Sequence, residues 1–403
     1  MRKNYFVKLI KYMKNVYNIE HGINKLTDSR VNPKYKTSQV VFPLLLGFML
    51  RIQSLNELKF MQKENEFKNI FSNRITKPSI DTIRDIIKVI ETDGLKSILQ
   101  HTVKRAITNK VFDKGTIDGY TVAAIDGTKV FGSNKKCCEK CLTTFIKGKQ
   151  HYYHSCAVMS LVGEEPNLVL DFEMYNPKYD STGKDEGEIN AAKRLLSKVI
   201  SEHRSLVDIV TYDALACNPK FLNSCIEAGI DAVIRVKKNN NNSIRQIKRT
   251  VNKKKKSEVW ENKTEIIEVY EEVFYMGGVE QPLRYVKFAK KKEQKDRSQI
   301  LIVTTCLDMP LKTLYRIIKA RWHIENRVFN NLKTEAAMGH CFIHGGNAVE
   351  AILYLIFIAS NLFQLFKQRR IRNTVTIQKE LVRLLLKGLY LLKYDKDLIF
   401  SSG

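Results

Sequence analysis

Apolar residues recur through the first 115 residues of the chain in runs of helical length. The clearest of these runs cover residues 40–50 and 83–90, and their spacing favours helices that bury one side. Pro78 and Ser79, directly before Ile80, are typical of a helix start. The pattern therefore predicts an N-terminal helical domain over residues 1–115.

Further along the chain, the pattern changes to short apolar runs bounded by Gly, Pro, Asn or charged residues. These runs predict strands over residues 122–125, 152–161, 168–174, 208–212, 232–236 and 300–305. Helices are predicted over residues 186–203 and 219–228, and a longer helical stretch without Gly or Pro covers residues 311–338. This order predicts an α/β fold, a mixed sheet flanked by helices, built from residues 116–236 and 298–370.

Residues 237–297 interrupt this alternation. No acidic residue occurs from residue 232 to residue 257, and strand-like apolar runs follow residue 259. We therefore expect an inserted β-rich subdomain with a basic face. The cations expected to form that face are Lys237, Lys238, Arg245, Lys248 and Arg249. Residues 371–403 are predicted to form a C-terminal helical tail.

The chain is strongly basic. It contains 68 Lys and Arg against 42 Asp and Glu, which gives a formal net charge of +26. Solubility alone does not require so large a charge. Nucleic acid is the partner that it favours, because neutralising phosphates releases counterions and adds affinity that is independent of sequence. A Lys-rich composition without functional meaning is the alternative, but the cations are clustered. We expect the N-terminal helical domain to bind duplex DNA.

The sequence predicts a cytoplasmic protein with no membrane partner. The N-terminus is charged throughout and has no uninterrupted apolar segment of the kind that a secretion signal requires. The longest uncharged run, residues 351–366, is short for a membrane span and contains Ser360, Asn361 and Gln364. It is therefore predicted to be a buried core helix.

Three acidic residues stand where a fold could bring them together. Asp126 and Asp213 each follow a run of β-favouring apolar residues, and Glu325 lies in the long helical stretch. Two aspartates at strand ends and a glutamate on a later helix can converge on divalent metal ions, which prefer oxygen ligands. The alternatives are ordinary turn aspartates and a helical ion pair between Arg321 and Glu325.

The segments Ile-Asp126-Gly-Thr, Tyr-Asp213-Ala-Leu-Ala and Arg321-Trp-His-Ile-Glu325 carry a resemblance. The pattern resembles the DDE-type transposases of bacterial insertion sequences, which have an RNase H-like core, and within them the group with a Tyr, Arg, Glu, Lys signature. Arg321 and Glu325 match that signature. Its tyrosine would fall at Ile318, and its lysine would fall at Leu332, one residue before Lys333. On an ideal α-helix, Lys333 lies about 80° around the axis from Glu325.

The resemblance implies metal-dependent cleavage and strand transfer at the ends of an insertion sequence, that is, cut-and-paste transposition. Asp126, Asp213 and Glu325 would hold two Mg²⁺ (or Mn²⁺) ions, which act on both sides of an in-line displacement. Arg321 and Lys333 would contact DNA. The partners implied are duplex DNA, as terminal repeats and target, and a second copy of the chain in a synaptic homodimer. The protein would associate with the bacterial nucleoid when bound to DNA.

Trp260 lies in the segment where related transposases place an aromatic ring on a base extruded from the duplex. The resemblance therefore implies a contact between Trp260 and DNA. The alternative, that Trp260 belongs to the core of the inserted subdomain, is equally open. Trp322 is expected to orient its helix by packing.

The eight cysteines are not expected to form disulfides in a reducing cytoplasm. Cys138 and Cys141 have a spacing that suits zinc coordination, and Cys137, His151, His154 and Cys156 lie nearby in the sequence. One such pair is weak evidence, so free thiols are the expected state and Zn²⁺ the alternative. His340 and His344 have no assigned role.

Two other functions fit parts of the pattern. A catalytically inactive, transposase-derived DNA-binding protein or repressor would keep the basic charge without the chemistry. A haloacid-dehalogenase-like phosphatase would explain Asp126-Gly-Thr, but it needs an aspartate nucleophile where Ala124 stands. The intact set of three carboxylates favours the transposase.

Overall fold

The computed structural model describes residues 4–63, 70, 78–203, 205–237, 242–261, 265–291, 298–371, 377–393 and 398. Its first part is helical, as predicted. The helices are α1 (Tyr5–Asn15), α2 (Ile19–Asn24), α3 (Thr37–Met49), α4 (Leu55–Lys63), α5 (Ile80–Val89) and α6 (Thr92–Thr108). Ser79 caps α5, because its side chain accepts a hydrogen bond from the Thr82 backbone N–H.

Strands and helices alternate from residue 122 onward. The strands are β1 (Val122–Ser133), β2 (Leu142–Ile146), β3 (Lys149–Leu161), β4 (Val169–Met174), β5 (Ile209–Tyr212), β6 (Asp231–Arg235), β7 (Glu258–Glu261), β8 (Ile266–Phe274), β9 (Leu283–Lys291) and β10 (Gln299–Thr304). The helices are α7 (Glu188–Glu202), α8 (Pro219–Glu227), α9 (Asn242–Lys253), α10 (Leu311–Ala320), a π-helical turn (Ile324–Phe329), α11 (Asn330–Thr334), α12 (Ala348–Phe366) and α13 (Gln378–Tyr390). A second π-helical turn, Lys367–Ile371, follows α12.

All ten of these strands join one mixed sheet, in the order β2, β3, β1, β5, β6, β10, β9, β8, β7. β4 also pairs with β3, on the edge that faces away from β1 and beyond the end of β2. β1, β5 and β6 are parallel neighbours, and β3 and β10 pair antiparallel on either side of them. Helices α7 and α8 pack against the sheet between these strands in sequence. The predicted α/β class with a mixed sheet flanked by helices is therefore confirmed.

The inserted segment begins with a helix and then supplies strands to the central sheet. α9 packs against β8. The whole length of β10 pairs with β9. The prediction of a β-rich insertion is confirmed for β7 to β9, but α9 was not foreseen. Of the basic residues expected on its face, Lys238 lies outside the described residues.

The apolar helix α12 connects the two halves of the fold. It packs against α3, α5 and α6 from the N-terminal part and against β4 of the sheet. Residues 348–371 are long and apolar enough to cross a membrane, but 83% of the 18-residue apolar stretch within them is buried inside the protein. Its polar residues hold the edge of β4: Asn361 exchanges hydrogen bonds with the backbone of Val169, and Gln364 does so with Asn167.

Candidate active site

Asp126 and Asp213 lie side by side where the parallel strand β5 ends: Asp213 directly follows β5, whereas Asp126 lies inside β1, which continues to Ser133. In the register of β1 and β5, Ala124 pairs with Thr211, and each aspartate follows two residues later. Side chains two residues apart on a strand share one face. Asp213 ends β5 and caps a short 3₁₀ turn, where its Oδ1 accepts a hydrogen bond of 2.8 Å from the Leu215 N–H.

Glu325 reaches the same edge of the sheet from a helical segment. It lies in the π-helical turn after α10, and this turn packs against β1. The Glu325 side chain is 44% exposed, whereas that of Arg321 is 3% exposed. Arg321 Nη1 donates a hydrogen bond of 2.9 Å to Glu325 Oε1, which fixes the direction of the glutamate.

The electrostatics of Asp126 show that these carboxylates share one site. Burial, together with the negative charges of Glu325, Glu188 and Asp213, raises the pKa of Asp126 to about 7, although the charge of Arg321 opposes this increase. Such a shift is expected where several carboxylates converge in a place with little water. The three carboxylates identified from the sequence are therefore neighbours in the fold.

Glu188 is a fourth carboxylate at this site, and no local sequence pattern pointed to it. It lies in the first turn of α7, where Tyr212 donates a 2.6 Å hydrogen bond to its Oε1. Gly127, next to Asp126, makes room for it: a Cβ at that position would clash with the Glu188 carboxylate and the Tyr175 hydroxyl. A single glutamate at the start of a helix is too common to be noticed in a sequence.

Cations surround the acidic cluster. The guanidinium carbons of Arg321 and Arg235 lie 5.0 Å and 4.7 Å from the Trp322 ring centroid, on which both stack. Lys237 Nζ lies 3.8 Å from Asp213 Oδ2. Burial and the charge of Arg321 lower the pKa of Arg235, while Asp213 and Glu325 raise it. Arg235, the last residue of β6, was not among the predicted site residues.

Lys333 lies on α11, close to β3. Lys333 is exposed. Burial raises the pKa of the Cys156 thiol on β3 to about 12, and the positive charge of Lys333 opposes this increase. Cys156 pairs with Thr128, two residues beyond Asp126 along β1. The preceding Leu332 is buried, so it belongs to the core and Lys333 is the residue that faces outward.

The remaining predicted DNA contacts lie on the inserted segment. Arg245 and Arg249 on α9 are exposed and Lys248 is half-buried. Trp260 on β7 is half-buried, and its ring centroid lies 5.7 Å from those of both Phe288 and Tyr315. Trp260 therefore packs in an aromatic cluster between the insertion and α10.

The histidines near these segments divide into two groups. His323 accepts a 3.3 Å hydrogen bond at Nδ1 from the Gly163 N–H and points away from the carboxylates. His154 and His344, in contrast, meet Cys138 and Cys141 in a compact group of metal-ligating atoms. His154 lies near the cysteines in the sequence, but His344 is about 200 residues away along the chain, so its place in this group could not be predicted.

This arrangement suits a divalent cation that holds a phosphate. Clustered carboxylates repel one another unless a cation lies between them, and the raised pKa of Asp126 records that repulsion. The buried Nε of Arg321 has no hydrogen-bond partner among the described residues, and the guanidinium supplies positive charge beside the carboxylates. The chemistry of the site thus combines oxygen ligands for hard metal ions with positive charge for an anion.

Comparison with known protein families gives one match. The family model described as "Transposase DDE domain" matches residues 118–362, a range that contains the acidic cluster, the inserted segment and most of α12. No curated protein matches the chain.

Proposed function

The chain belongs to the family of transposases with a DDE domain, and from that premise we propose that it cuts the ends of its own insertion sequence and joins them to target DNA. The carboxylates Asp126, Asp213 and Glu325 are the proposed catalytic residues. The observation that carries this proposal is that the three side chains lie close together, so that the neighbouring negative charges raise the pKa of Asp126. A lone aspartate on a strand would not experience the charges of other carboxylates.

Divalent ions are the proposed cofactor. Asp126, Asp213 and Glu325 would hold two Mg²⁺ or Mn²⁺ ions, because clustered carboxylates are the oxygen ligands that these ions prefer. When bound, the ions activate the attacking oxygen and stabilise the leaving oxygen of a phosphodiester. Glu188 is proposed as a positioning residue: it adds negative charge beside Asp126 and is itself fixed by Tyr212.

Arg321 has two proposed roles in this chemistry. Its Nη1 orients Glu325 through a hydrogen bond, and its positive charge would attract a phosphate to the site. The buried guanidinium is held against Trp322, so little conformational entropy is lost when a phosphate binds. Arg235, on the same ring, would contact the next phosphate along the strand.

The DNA path is proposed to leave this site across the basic residues of the insertion. Lys237 lies beside Asp213, and α9 places the exposed Arg245 and Arg249 and the half-buried Lys248 further along. Lys333 would contact DNA on the side of β3. For Trp260 to stack on an extruded base, its ring would have to leave Phe288 and Tyr315, and it therefore stays the least supported of the proposed DNA contacts.

The proposed partners are duplex DNA and a second copy of the chain. Both ends of an element must be held together before they are inserted, which is the reason for proposing a synaptic homodimer. DNA at the nucleoid, in the bacterial cytoplasm, is the proposed place of action.

Cleavage of flanking DNA tests the proposed activity. The substrate is an end-labelled duplex that contains the DNA flanking the coding sequence on both sides, incubated with Mg²⁺. We expect the wild-type chain to cut at defined positions at each end and Glu325→Gln to bind the same duplex without cutting. Arg327→Lys, a change of an exposed residue in the same π-helical turn, is the matched control and should cut normally.

Two results would count against the proposal. Equal cutting by wild type and Glu325→Gln would show that the nuclease is not this cluster. Specific binding without cutting in either Mg²⁺ or Mn²⁺ would instead favour the transposase-derived DNA-binding protein or repressor.

A further inference from the structure

A second group of metal-ligating side chains lies apart from the carboxylates. It consists of Cys138 and Cys141 from the connection between β1 and β2, His154 from β3, and His344 from the connection between α11 and α12. Cys141 and His154 are buried, and Cys138 and His344 are half-buried. The four ligating atoms, two Sγ and two Nε2, all lie within 4.8 Å of one another.

Five of the six distances within this group are close to the edges of a tetrahedron, and the sixth, from Cys138 to His344, is no longer than 4.8 Å. The two Sγ atoms are 3.6 Å apart, and the two Nε2 atoms are 3.4 Å apart. The distances from Sγ to Nε2 are 3.5 Å for Cys138 to His154, 3.3 Å for Cys141 to His154 and 3.5 Å for Cys141 to His344. A tetrahedral Zn²⁺ with ordinary bond lengths requires edges of about 3.8 Å between sulfurs, 3.3 Å between nitrogens and 3.6 Å between sulfur and nitrogen.

The chemistry of the group also points to a cation. Two imidazole nitrogens and two sulfurs lie together in one compact group. Each of these atoms can offer a lone pair to a metal ion, whereas neutral imidazoles and thiols have few protons with which to form hydrogen bonds to one another. Two thiolates and two imidazoles are a ligand set that selects zinc, because sulfur ligands discriminate against Mg²⁺ and Ca²⁺. A disulfide is not formed, since the eight cysteines are free and the two Sγ atoms are not bonded.

We propose that Cys138, Cys141, His154 and His344 bind one structural Zn²⁺ ion. The ion would join three segments, of which the loop with the cysteines and β3 are close in sequence and the segment with His344 is about 200 residues away. It would tie the loop after the Asp126 strand to β3 and to the chain that follows the π-helical turn with Glu325. The site has no position open for a substrate, which is typical of zinc that stabilises a fold.

Neighbouring contacts show what this ion would hold in place. Lys140, between the two cysteines, donates a 2.8 Å hydrogen bond to Asn347, and Asn347 donates from its side chain to Ile90 and from its backbone to Lys88. Gly346, with φ of +55°, passes so close to the Lys88 carbonyl that a Cβ would clash with it. The zinc would thus fix the sheet, the segment after Glu325 and the N-terminal helices relative to one another.

Metal analysis of the purified full-length chain tests this proposal without any DNA or activity. After growth with added zinc, we expect about one zinc ion per wild-type chain. Cys138→Ser and His344→Ala should each lower that content by about fivefold or more, because three ligands hold zinc less tightly than four. Cys137→Ser is the matched control: Cys137 is exposed, adjacent in sequence and outside the cluster, so its zinc content should equal that of wild type.

Asp126→Asn separates this site from the carboxylates and should keep the zinc. Co²⁺ exchanged into the wild-type chain should give the visible bands of a tetrahedral site and the near-ultraviolet absorption of thiolate ligands. If Cys138→Ser does not fold, His344→Cys supplies the second variant, because it keeps four ligands and should strengthen the thiolate absorption of bound Co²⁺.

Three results would overturn the proposal. The first is a wild-type chain without zinc that also fails to bind Co²⁺ through thiolates. The second is a loss of zinc in Cys137→Ser or Asp126→Asn as large as that in Cys138→Ser. The third is a native Cys138–Cys141 disulfide in the protein as purified under reducing conditions.

Discussion

At the scale of single residues, the acidic cluster is a place where folding works against ionisation. Asp126 is largely buried beside Glu188, Asp213 and Glu325, and its pKa is about 7. A protein without a use for such a cluster would gain stability by replacing one of its members. If the proposed cations bind there, they would offset this repulsion, and without them the cluster lowers the stability of the chain.

Asp126→Asn should reveal that cost through its dependence on pH. Because folding raises the pKa of Asp126, the folded chain binds more protons than the unfolded chain between about pH 4 and pH 7, and this carboxyl lowers stability as pH rises through that window. With EDTA present, the variant should exceed wild type in unfolding free energy by about 4 kcal/mol at pH 8 and by little at pH 4. Urea denaturation at the two pH values measures this, and an equal difference at both would contradict it.

Arg321→Lys should weaken the use of metal ions more than the binding of DNA. The variant keeps a positive charge but loses the planar guanidinium that stacks on Trp322 and orients Glu325. We expect the Mg²⁺ concentration for half-maximal cleavage to rise about tenfold and maximal cleavage to fall on the order of 10²-fold. Arg327→Lys in the same turn is the control, and an unchanged Mg²⁺ requirement in Arg321→Lys would rule out its positioning role.

The sequence identified the three carboxylates because each follows or lies within a distinct local pattern. Glu188 and Arg235 were missed for a physical reason. Their place in the site comes from the pairing of β1 with β5 and of β5 with β6, and from the packing of α7, which are long-range contacts. His344 was out of reach for the same reason.

At the scale of elements, the π-helical turn Ile324–Phe329 corrects the expectation of a regular helix over residues 311–338. A π-helical turn contains one residue more than an α-helical turn. Eight residues from Glu325 to Lys333 therefore cover about the rotation of seven α-helical residues, which brings Lys333 within about 20° of Glu325 instead of about 80°. Lys333 comes one residue later than the signature lysine, but the π-helical turn brings it to about the angle around the helix that the signature lysine would have.

Lys333→Ala tests the orientation that the π-helical turn gives to this side chain. If Lys333 contacts a phosphate, the variant should bind element-end DNA more weakly, and the slope of log Kd against log salt should fall by about 1. Lys333→Arg should restore the slope. A slope that is the same in wild type and Lys333→Ala would place this lysine away from the DNA.

Most elements were predicted within a few residues, but β1 and β3 are longer than expected. β1 continues to Ser133 and β3 begins at Lys149, because the two strands pair with each other beyond the body of the sheet. Their polar, partly exposed arms lack the apolar runs on which the prediction was based. The helix α9 was missed because its basic residues masked the spacing of its three buried residues, Ile244, Ile247 and Val251.

At the scale of the whole molecule, α12 unites the N-terminal helices with the sheet that carries the acidic cluster. Its apolar surface packs on both, and the amide groups of Asn361 and Gln364 satisfy the backbone at the edge of β4. The sequence predicted that this run is a core helix from its length and polar residues. It could not show that those residues hold a sheet edge, since that depends on which strand lies beside them.

Asn361→Leu should destabilise the whole fold. Asn361 is fully buried, and its loss would leave the N–H and C=O groups of Val169 without partners. Two unsatisfied buried backbone groups should cost about 3 kcal/mol of unfolding free energy. Ser360→Ala, on the adjacent position, should cost less than about 1 kcal/mol. Thermal or urea denaturation of the two variants compares them, and similar losses in both would contradict the role of Asn361.

The position of bound metal ions would show whether Asp126, Asp213 and Glu325 hold divalent cations together. Crystals of the full-length chain with DNA from an element end, grown or soaked with Mn²⁺, should give anomalous peaks at the manganese edge within about 2.2 Å of carboxylate oxygens from Asp126, Asp213 and Glu325. The same soak of Glu325→Gln should lose at least one peak. Manganese bound elsewhere, with these three carboxylates pointing apart around the DNA, would contradict the account.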